Sequence, residues 1–435
     1  MLLTLALLLL SDKPMPIFPY AYQEHTLDNG LRVILIPMES PGLVSYHTVV
    51  RTGSRDEVEP GKTGFAHFFE HMMFRGTEKY PGPVYDGLMT QMGIDANAYT
   101  TDDRTVYHLD FTAEDLEKVI ELESDRFQNL SYKEADFQTE AGAVYGEYRK
   151  SITSPFSVLF ESVSNLAYDK HTYKHTTIGF EEDIKAMPQQ FEYSKGFFKR
   201  FYRPDNCVIV VTGDFKPEQT LSWIKQYYGG WQKGYQAPQV VPEPEQTAER
   251  RGEVQFNGKT LPILYMGYKT PAFNPRDKAS VATFALGELF FGSNSDLYKD
   301  IYLEKQWVNF VSYDASQNRD PGLFSIYSMV KDPANIEKVQ AAIDAAVKSA
   351  QDQPVTSVKL DGVKKRIKYG LLMDMNTPGE VAESLDTPLA VEPSIKGFEA
   401  FFSTLQQLEP ADLQAAAKAF FQTQRRTVVV LKGAQ

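Results

Sequence analysis

The run Thr63-Gly64-Phe65-Ala66-His67-Phe68-Phe69-Glu70-His71-Met72-Met73-Phe74 decides how the chain is read. Residues four apart on a helix lie one above the other, so His67 and His71 share a face and Glu70 sits beside them. Two neutral imidazoles at that spacing can hold a zinc ion, and an adjacent carboxylate can take a proton from a water that the metal polarises. The order H-x-x-E-H reverses the commoner H-E-x-x-H. The pentad lacks a third ligand, a surface for substrate and a wall to close the site, so these must come from elsewhere in the chain.

A chain of 435 residues exceeds the size at which one core stops growing, about 250–300 residues, and so holds more than one domain. Hydrophobic residues at 42% and charged residues at 23% are ordinary for a folded protein. A formal net charge of −12, with no block rich in Lys and Arg, argues against nucleic acid or an anionic membrane as partner. The single cysteine, Cys207, excludes an intrachain disulfide framework and a cysteine-based metal site. Its neighbours Val208-Ile209-Val210-Val211 make it an inert thiol in a buried strand. Residues 1–10 are almost wholly apolar, too short to span a bilayer but suited to the core of an export signal. The basic flank and the small-residue cleavage site are missing, so residues 1–16 read as a truncated signal segment. That reading places the protein in the periplasm or outside the cell, with a cytoplasmic location as the alternative.

Along the chain, Asn29-Gly30 between apolar stretches marks a hairpin turn. A strand is predicted at 44–52, then the pentad helix, a turn at 93–97 and one long strand over 98–111. Helices follow at 113–130, 134–151 and 189–201, then the Cys207 strand and a helix at 217–228. Residues 233–251, broken by Gly234, Pro238, Pro242 and Pro244, form a linker. Beyond it the pattern recurs. Thr105 to Phe111 followed by Asp115-Leu116-Glu117-Lys118-Val119 is matched by Gly322 to Ser328 followed by Asn335-Ile336-Glu337-Lys338-Val339. The endings match as well: Phe197-Phe198-Lys199 before Val208–Gly213, and Ala417-Lys418-Ala419 before Val428–Gly433. The expectation is an α+β fold of two tandem homologous domains, 17–232 and 252–435, each a mainly antiparallel sheet covered by helices on one face. The second copy has no pentad and is expected to be an inactive wall.

The helix over 134–151 offers Glu140 and Glu147, seven apart and therefore two turns along one face. Glu147 is the candidate third ligand. Glu140 would then accept the free N–H of a ligand histidine and fix its tautomer.

The run Gly64 to Thr77 resembles, nearly residue for residue, the signature of the zinc metallopeptidase family of pitrilysin, insulin-degrading enzyme and mitochondrial processing peptidase. In that family a distal glutamate lies about 75 residues past the second histidine; Glu147 lies 76 residues past His71, and the family's preceding glutamate falls on Glu140. Asn97-Ala98-Tyr99-Thr100 is similar to the family's edge-strand motif beside the metal, and Tyr202 to Phe215 to the close of its first domain. The resemblance covers about residues 20–435 and is weak in the second half. It implies one zinc per chain on His67, His71 and Glu147, with Glu70 as catalytic base and extended peptides paired along Asn97, Ala98 and Tyr99.

The family also places an arginine and, seven residues later, a tyrosine in its second domain. Here those places fall on Tyr302 and Asn309, or on Leu303 and Phe310, and no arginine occurs between Arg276 and Arg319. Some bacterial members divide the zinc motif and the Arg/Tyr pair between two subunits. The chain resembles the zinc-bearing subunit, which implies a zinc endopeptidase cleaving unfolded peptides in a two-domain chamber with a homologous partner. The alternative is a non-catalytic scaffold subunit. His171, His175 and His108 are read as structural, and Lys364, Lys365, Arg366 and Lys368 as a solvated helix face.

Overall fold

The computed structural model describes residues 17–434; the expected signal segment, 1–16, lies outside the described residues. The first strands are β1 (Gln23–Thr26), β2 (Arg32–Pro37), β3 (Leu43–Val50), β4 (Asp95–Thr100), β5 (Thr105–Thr112) and β6 (Cys207–Gly213). They form one sheet in the order β1-β2-β6-β3-β5-β4, antiparallel except for the β2/β6 pair. The Asn29-Gly30 turn closes β1 on β2, with Gly30 at φ 89°, a conformation only glycine adopts freely. The strand predicted over 98–111 is instead two strands: β4 and β5 pair antiparallel, from Asp95 opposite Asp110 to Thr100 opposite Thr105. The turn contains neither Gly nor Pro, and Asp102-Asp103 alone supplies the turn chemistry.

The helices of this half are α1 (Phe65–Met72), α2 (Gly82–Gln91), α3 (Leu116–Asn129), α4 (Glu134–Ser151), α5 (Pro155–Ala167), α6 (Glu181–Ala186), α7 (Phe191–Phe201) and α8 (Pro217–Tyr228). The second half contains β7 (Arg250–Gln255), β8 (Ile263–Lys269), β9 (Val308–Ala315), β10 (Leu323–Val330) and β11 (Arg426–Lys432), in the order β7-β11-β8-β10-β9. Its helices are α9 (Lys278–Phe290), α10 (Asp296–Tyr298), α11 (Ile336–Asp352), α12 (Ser357–Met373), α13 (Pro378–Val391), α14 (Ile395–Gln407) and α15 (Pro410–Phe420). Without β1, the two sheets have the same order, each with one parallel pair, β2/β6 and β7/β11. The recurrence in the sequence is therefore a recurrence of topology. The coil joining the halves ends at Arg250, where β7 begins, two residues before the expected boundary.

Alternation along a strand sends successive side chains to opposite faces. In the first sheet Val33, Leu35, Tyr46, Tyr107, Leu109, Ile209 and Val211 pack in one core with α1, α3, α4 and α7 of the same half. Ile34, Ile36, Val49, Val106, Val208 and Val210 face the other way and join a core with Val381, Leu385 and Leu389 of α13, a helix of the second half. The exchange is mutual. Leu159 and Val163 of α5 pack on Ile263, Tyr265, Val429 and Leu431 of the second sheet. Each sheet thus has its own helices on one face and a helix of the other half on the second.

One helix face departs from expectation. Lys365 and Arg366 are exposed and Lys368 is half-buried, but Lys364 is 8% exposed and donates from Nζ to the Gln406 carbonyl at 2.9 Å.

Candidate metal centre

Helix α1 follows the turn at Gly64, whose φ of 88° and closeness to the Ile178 carbonyl leave no room for a Cβ. The carboxylate of Glu57, wholly buried, accepts from the free amides of Gly64 (2.8 Å) and Ala66 (2.7 Å) at the helix start, where the helix dipole favours negative charge. Phe65, Phe68, Phe69 and Met72 are buried, which turns His67, Glu70 and His71 to the opposite side. Helix α4 packs on α1 through Phe137, whose ring lies 5.0 Å from that of Phe68. Its buried positions 137, 141, 144 and 148 recur at helical spacing.

This packing brings three donor atoms together. Glu147 Oε2 lies 3.5 Å from His67 Nε2 and 3.4 Å from His71 Nε2, and all three residues present ligand atoms within 4.8 Å of one another. Atoms bound to a tetrahedral zinc at about 2.0–2.1 Å are separated by about 3.3 Å. The donor set and its spacing fit zinc. No other group of three or more His, Cys, Asp or Glu residues meets this condition among the described residues.

The surroundings favour the neutral form of His67 but hold a proton on His71, which zinc would have to displace. Burial lowers the pKa of His67, favouring the neutral imidazole a metal needs. His71 is pushed up to about 9 by Glu140, which its Nδ1 meets at 3.0 Å, and then by Glu147. With Nδ1 spent on Glu140, Nε2 is the atom left to face Glu147. Glu140 is held below the usual carboxylate range by His71 and by Arg75, whose Nε donates to its second oxygen at 2.8 Å. Thr100 of β4 donates to Glu70 Oε2 at 2.6 Å. A groove of about 460 Å³ opens beside the site, bounded by His67, Glu147, Tyr148, Phe160, Glu161 and Ile178.

Asn97, Ala98 and Tyr99 lie on β4, the last strand of its sheet. Asn97 is exposed, and the Ala98 amide donates to the Asn97 side chain at 2.9 Å. His171 meets Asp320 at 3.0 Å, His175 lies 3.8 Å from Glu57, and His108 stands half-buried with its ring 5.4 Å from that of His47. In the second half, Tyr302 lies against Tyr298, Leu303 and Asn309 are exposed, and Phe310 packs near Phe156. Sequence reasoning missed Arg75, Thr100 and Glu57. Arg75, four residues past His71 along the continuing helical turn, could have been found by spacing; the other two approach from other elements.

The profile described as insulinase, peptidase family M16, matches residues 32–180, and that of the peptidase M16 inactive domain matches residues 191–367. The chain belongs to peptidase family M16. It is a zinc protease of that family with a candidate His67/His71/Glu147 triad. It is 27% identical to the zinc protease PqqE of Helicobacter pylori, over 94% of this chain and 93% of that one. The crystal structure of a protease from Helicobacter pylori, 28% identical, superposes with a TM-score of 0.88 over 95% of this chain and 99% of that one. Mitochondrial-processing peptidase subunit beta of Bos taurus is 24% identical, over 82% of this chain and 74% of that one. The first half of the periplasmic protease PqqL from Escherichia coli shares the fold, at 22% identity and a TM-score of 0.75 over 94% of this chain and 91% of that one. Among the described residues no helix is long and apolar enough to cross a membrane.

Proposed function

We propose that the chain is a zinc endopeptidase for extended, unfolded peptides, carrying one zinc on His67, His71 and Glu147. The observation that carries this reading is the approach of Glu147 to both histidines at 3.4–3.5 Å, with Glu70 beside them and tied to Thr100. Zinc bound there supplies a Lewis acid for the scissile carbonyl, worth several kcal/mol. Glu70 takes the proton of the attacking water and returns it to the leaving amine. Glu140, braced by Arg75, fixes the tautomer and direction of His71. The free edge of β4 at Asn97 and Ala98 offers main-chain groups to an extended peptide as an added strand. Folded proteins have no free strand to offer there, so unfolded segments are the substrates.

The second half has neither arginine nor tyrosine in the arrangement the family uses on substrate, and a homologous partner subunit is proposed to provide them. Mitochondrial-processing peptidase subunit beta, by its name a subunit of a larger enzyme, supports this. The name of PqqL supports a periplasmic location. The missing pair also suits a non-catalytic scaffold subunit; the presence of Glu70 opposes that. The test is cleavage of a quenched extended peptide by the zinc-loaded chain, alone and with a homologous chain that bears the Arg/Tyr pair and lacks the pentad. The expected result is weak, chelator-sensitive cleavage alone and at least about tenfold more with the partner, the worth of one or two added transition-state contacts. Equal rates in the two cases would remove the partner requirement, and no chelator-sensitive cleavage in either would favour the scaffold.

A further inference from the structure

β4 is tied down on both faces, by consecutive residues. Thr100 faces α1 and donates to Glu70 Oε2 at 2.6 Å. Tyr99 faces the opposite way, as strand alternation requires, and its hydroxyl donates to Asp386 Oδ2 at 2.9 Å. Asp386 is 0% exposed. It also meets Nδ1 of His47 on β3, at 3.1 and 3.2 Å from its two oxygens. Asp386 belongs to α13, from the second half of the chain, whereas His47, Tyr99, Thr100 and Glu70 all belong to the first.

The position of this carboxylate is informative. Apart from His47 and Tyr99, the layer between the first sheet and α13 is mostly apolar, filled by Val49, Val106, Val210, Val381, Leu385 and Leu389, while Thr212 and Arg51 donate to main-chain carbonyls of α13. A buried carboxylate contributes less to stability there than a packed hydrocarbon of the same volume, so its use points to fixed geometry. What it fixes is an edge strand. β4 pairs only with β5, and a strand with one neighbour has no second ladder to set its position. The tie through Tyr99 takes the place of that ladder from the side.

We propose that Asp386 is a positioning residue for the hydrolysis. Through Tyr99 it sets where β4 lies, and through the next residue, Thr100, it sets where the Glu70 carboxylate points. His47 holds the Asp386 carboxylate in the orientation that receives Tyr99. The second half is then more than a wall: a shift of α13 against the sheet, such as a docking partner would impose, reaches both the substrate edge and the catalytic base within two residues. This inference rests on the reading of Glu70 as the base.

The test uses the zinc-loaded full chain in excess over a quenched extended peptide. Single-turnover rate, half-saturating concentration, zinc content and thermal midpoint are measured for each variant. Tyr99→Phe removes one hydroxyl, and Asp386→Ala removes its acceptor. Each is expected to lower the single-turnover rate about tenfold, the scale of a sub-ångström misplacement, with zinc content unchanged. Asp386→Asn keeps an acceptor oxygen and should restore most of that rate. In a Thr100→Val background, where the tie to Glu70 is already broken, the further loss from Tyr99→Phe should shrink to less than about twofold. An unchanged rate in Tyr99→Phe accompanied by a lower thermal midpoint would make the cluster merely structural. Losses that multiply in the double variant would also overturn the relay. Failure of the underlying reading is seen separately: Glu70→Gln would then cleave as fast as the unaltered chain.

Discussion

The two halves repeat one topology and differ in what their matching helices carry. β3 leads into α1 with His67, Glu70 and His71 on its open side; the matching β8 leads into α9, whose corresponding stretch is Val281, Ala282, Ala285 and Leu286, all buried. The glutamate-bearing α4 has its counterpart in α12, which exposes Lys365 and Arg366 instead. The sheets, their parallel pairs and the exchange of α5 for α13 are common to both halves. Architecture is thus insensitive to a handful of side chains on the open faces of two helices, and chemistry depends on little else.

The comparison breaks most visibly at Glu147. Its replacement by Gln should remove an anionic ligand, weaken zinc binding by more than about 100-fold and abolish cleavage, with thermal unfolding of the zinc-free chain unaltered. Zinc titration followed by unfolding scans checks this. Glu140→Gln should be milder, about 10–100-fold in zinc affinity, because His71 stays in place but loses its charged partner. Arg75→Ala should fall below that.

The common architecture is tested by truncating one crossing residue from each half. Leu159→Ala and Leu385→Ala should each cost about 2–5 kcal/mol, since both side chains are wholly buried in the exchanged layers. Denaturant unfolding measures both, and zinc content should not change. A large cost at one position and none at the other would mean that the exchange is not mutual.

The smallest effect concerns acid stability at the junction of the halves. Burial alone would raise the Asp320 carboxyl, but hydrogen bonds from His171 and Arg55 outweigh it and hold it below its ordinary value. Arg55 Nε donates to it at 2.6 Å. A depressed carboxyl contributes stability above its unfolded pKa and loses it as pH falls through the folded one. Stability should therefore decline below about pH 4. Asp320→Asn should lower stability at pH 7 by about 1 kcal/mol and flatten that acid decline. A variant whose pH profile parallels the unaltered chain would contradict it.

Much of the site was legible because it is local. The four-residue spacing of His67 and His71 and the seven-residue spacing of Glu140 and Glu147 are helix geometry, and each pair shares a face in the structure. The meeting of α1 with α4 is not local: the two-turn spacing offered Glu147 as a candidate, and the family resemblance tied it to the pentad. The hairpin of β4 and β5 read as one strand because Asp102-Asp103 is a faint turn signal beside the apolar alternation around it. The exchange of α5 and α13 was invisible for a different reason. A strand buried on both faces shows a continuous apolar run, as Val208 to Val211 does, and such a run does not say which helix covers which face. Thr100 and Asp386 act across the chain and leave no trace in spacing.

The proposed hydrolysis depends most directly on Glu70. Zinc content and peptide cleavage should be measured on one preparation of Glu70→Gln beside the unaltered chain. The expected result is one zinc in both, with cleavage about 10²–10⁴-fold lower in the variant. Cleavage that persists in Glu70→Gln with its zinc retained would contradict it.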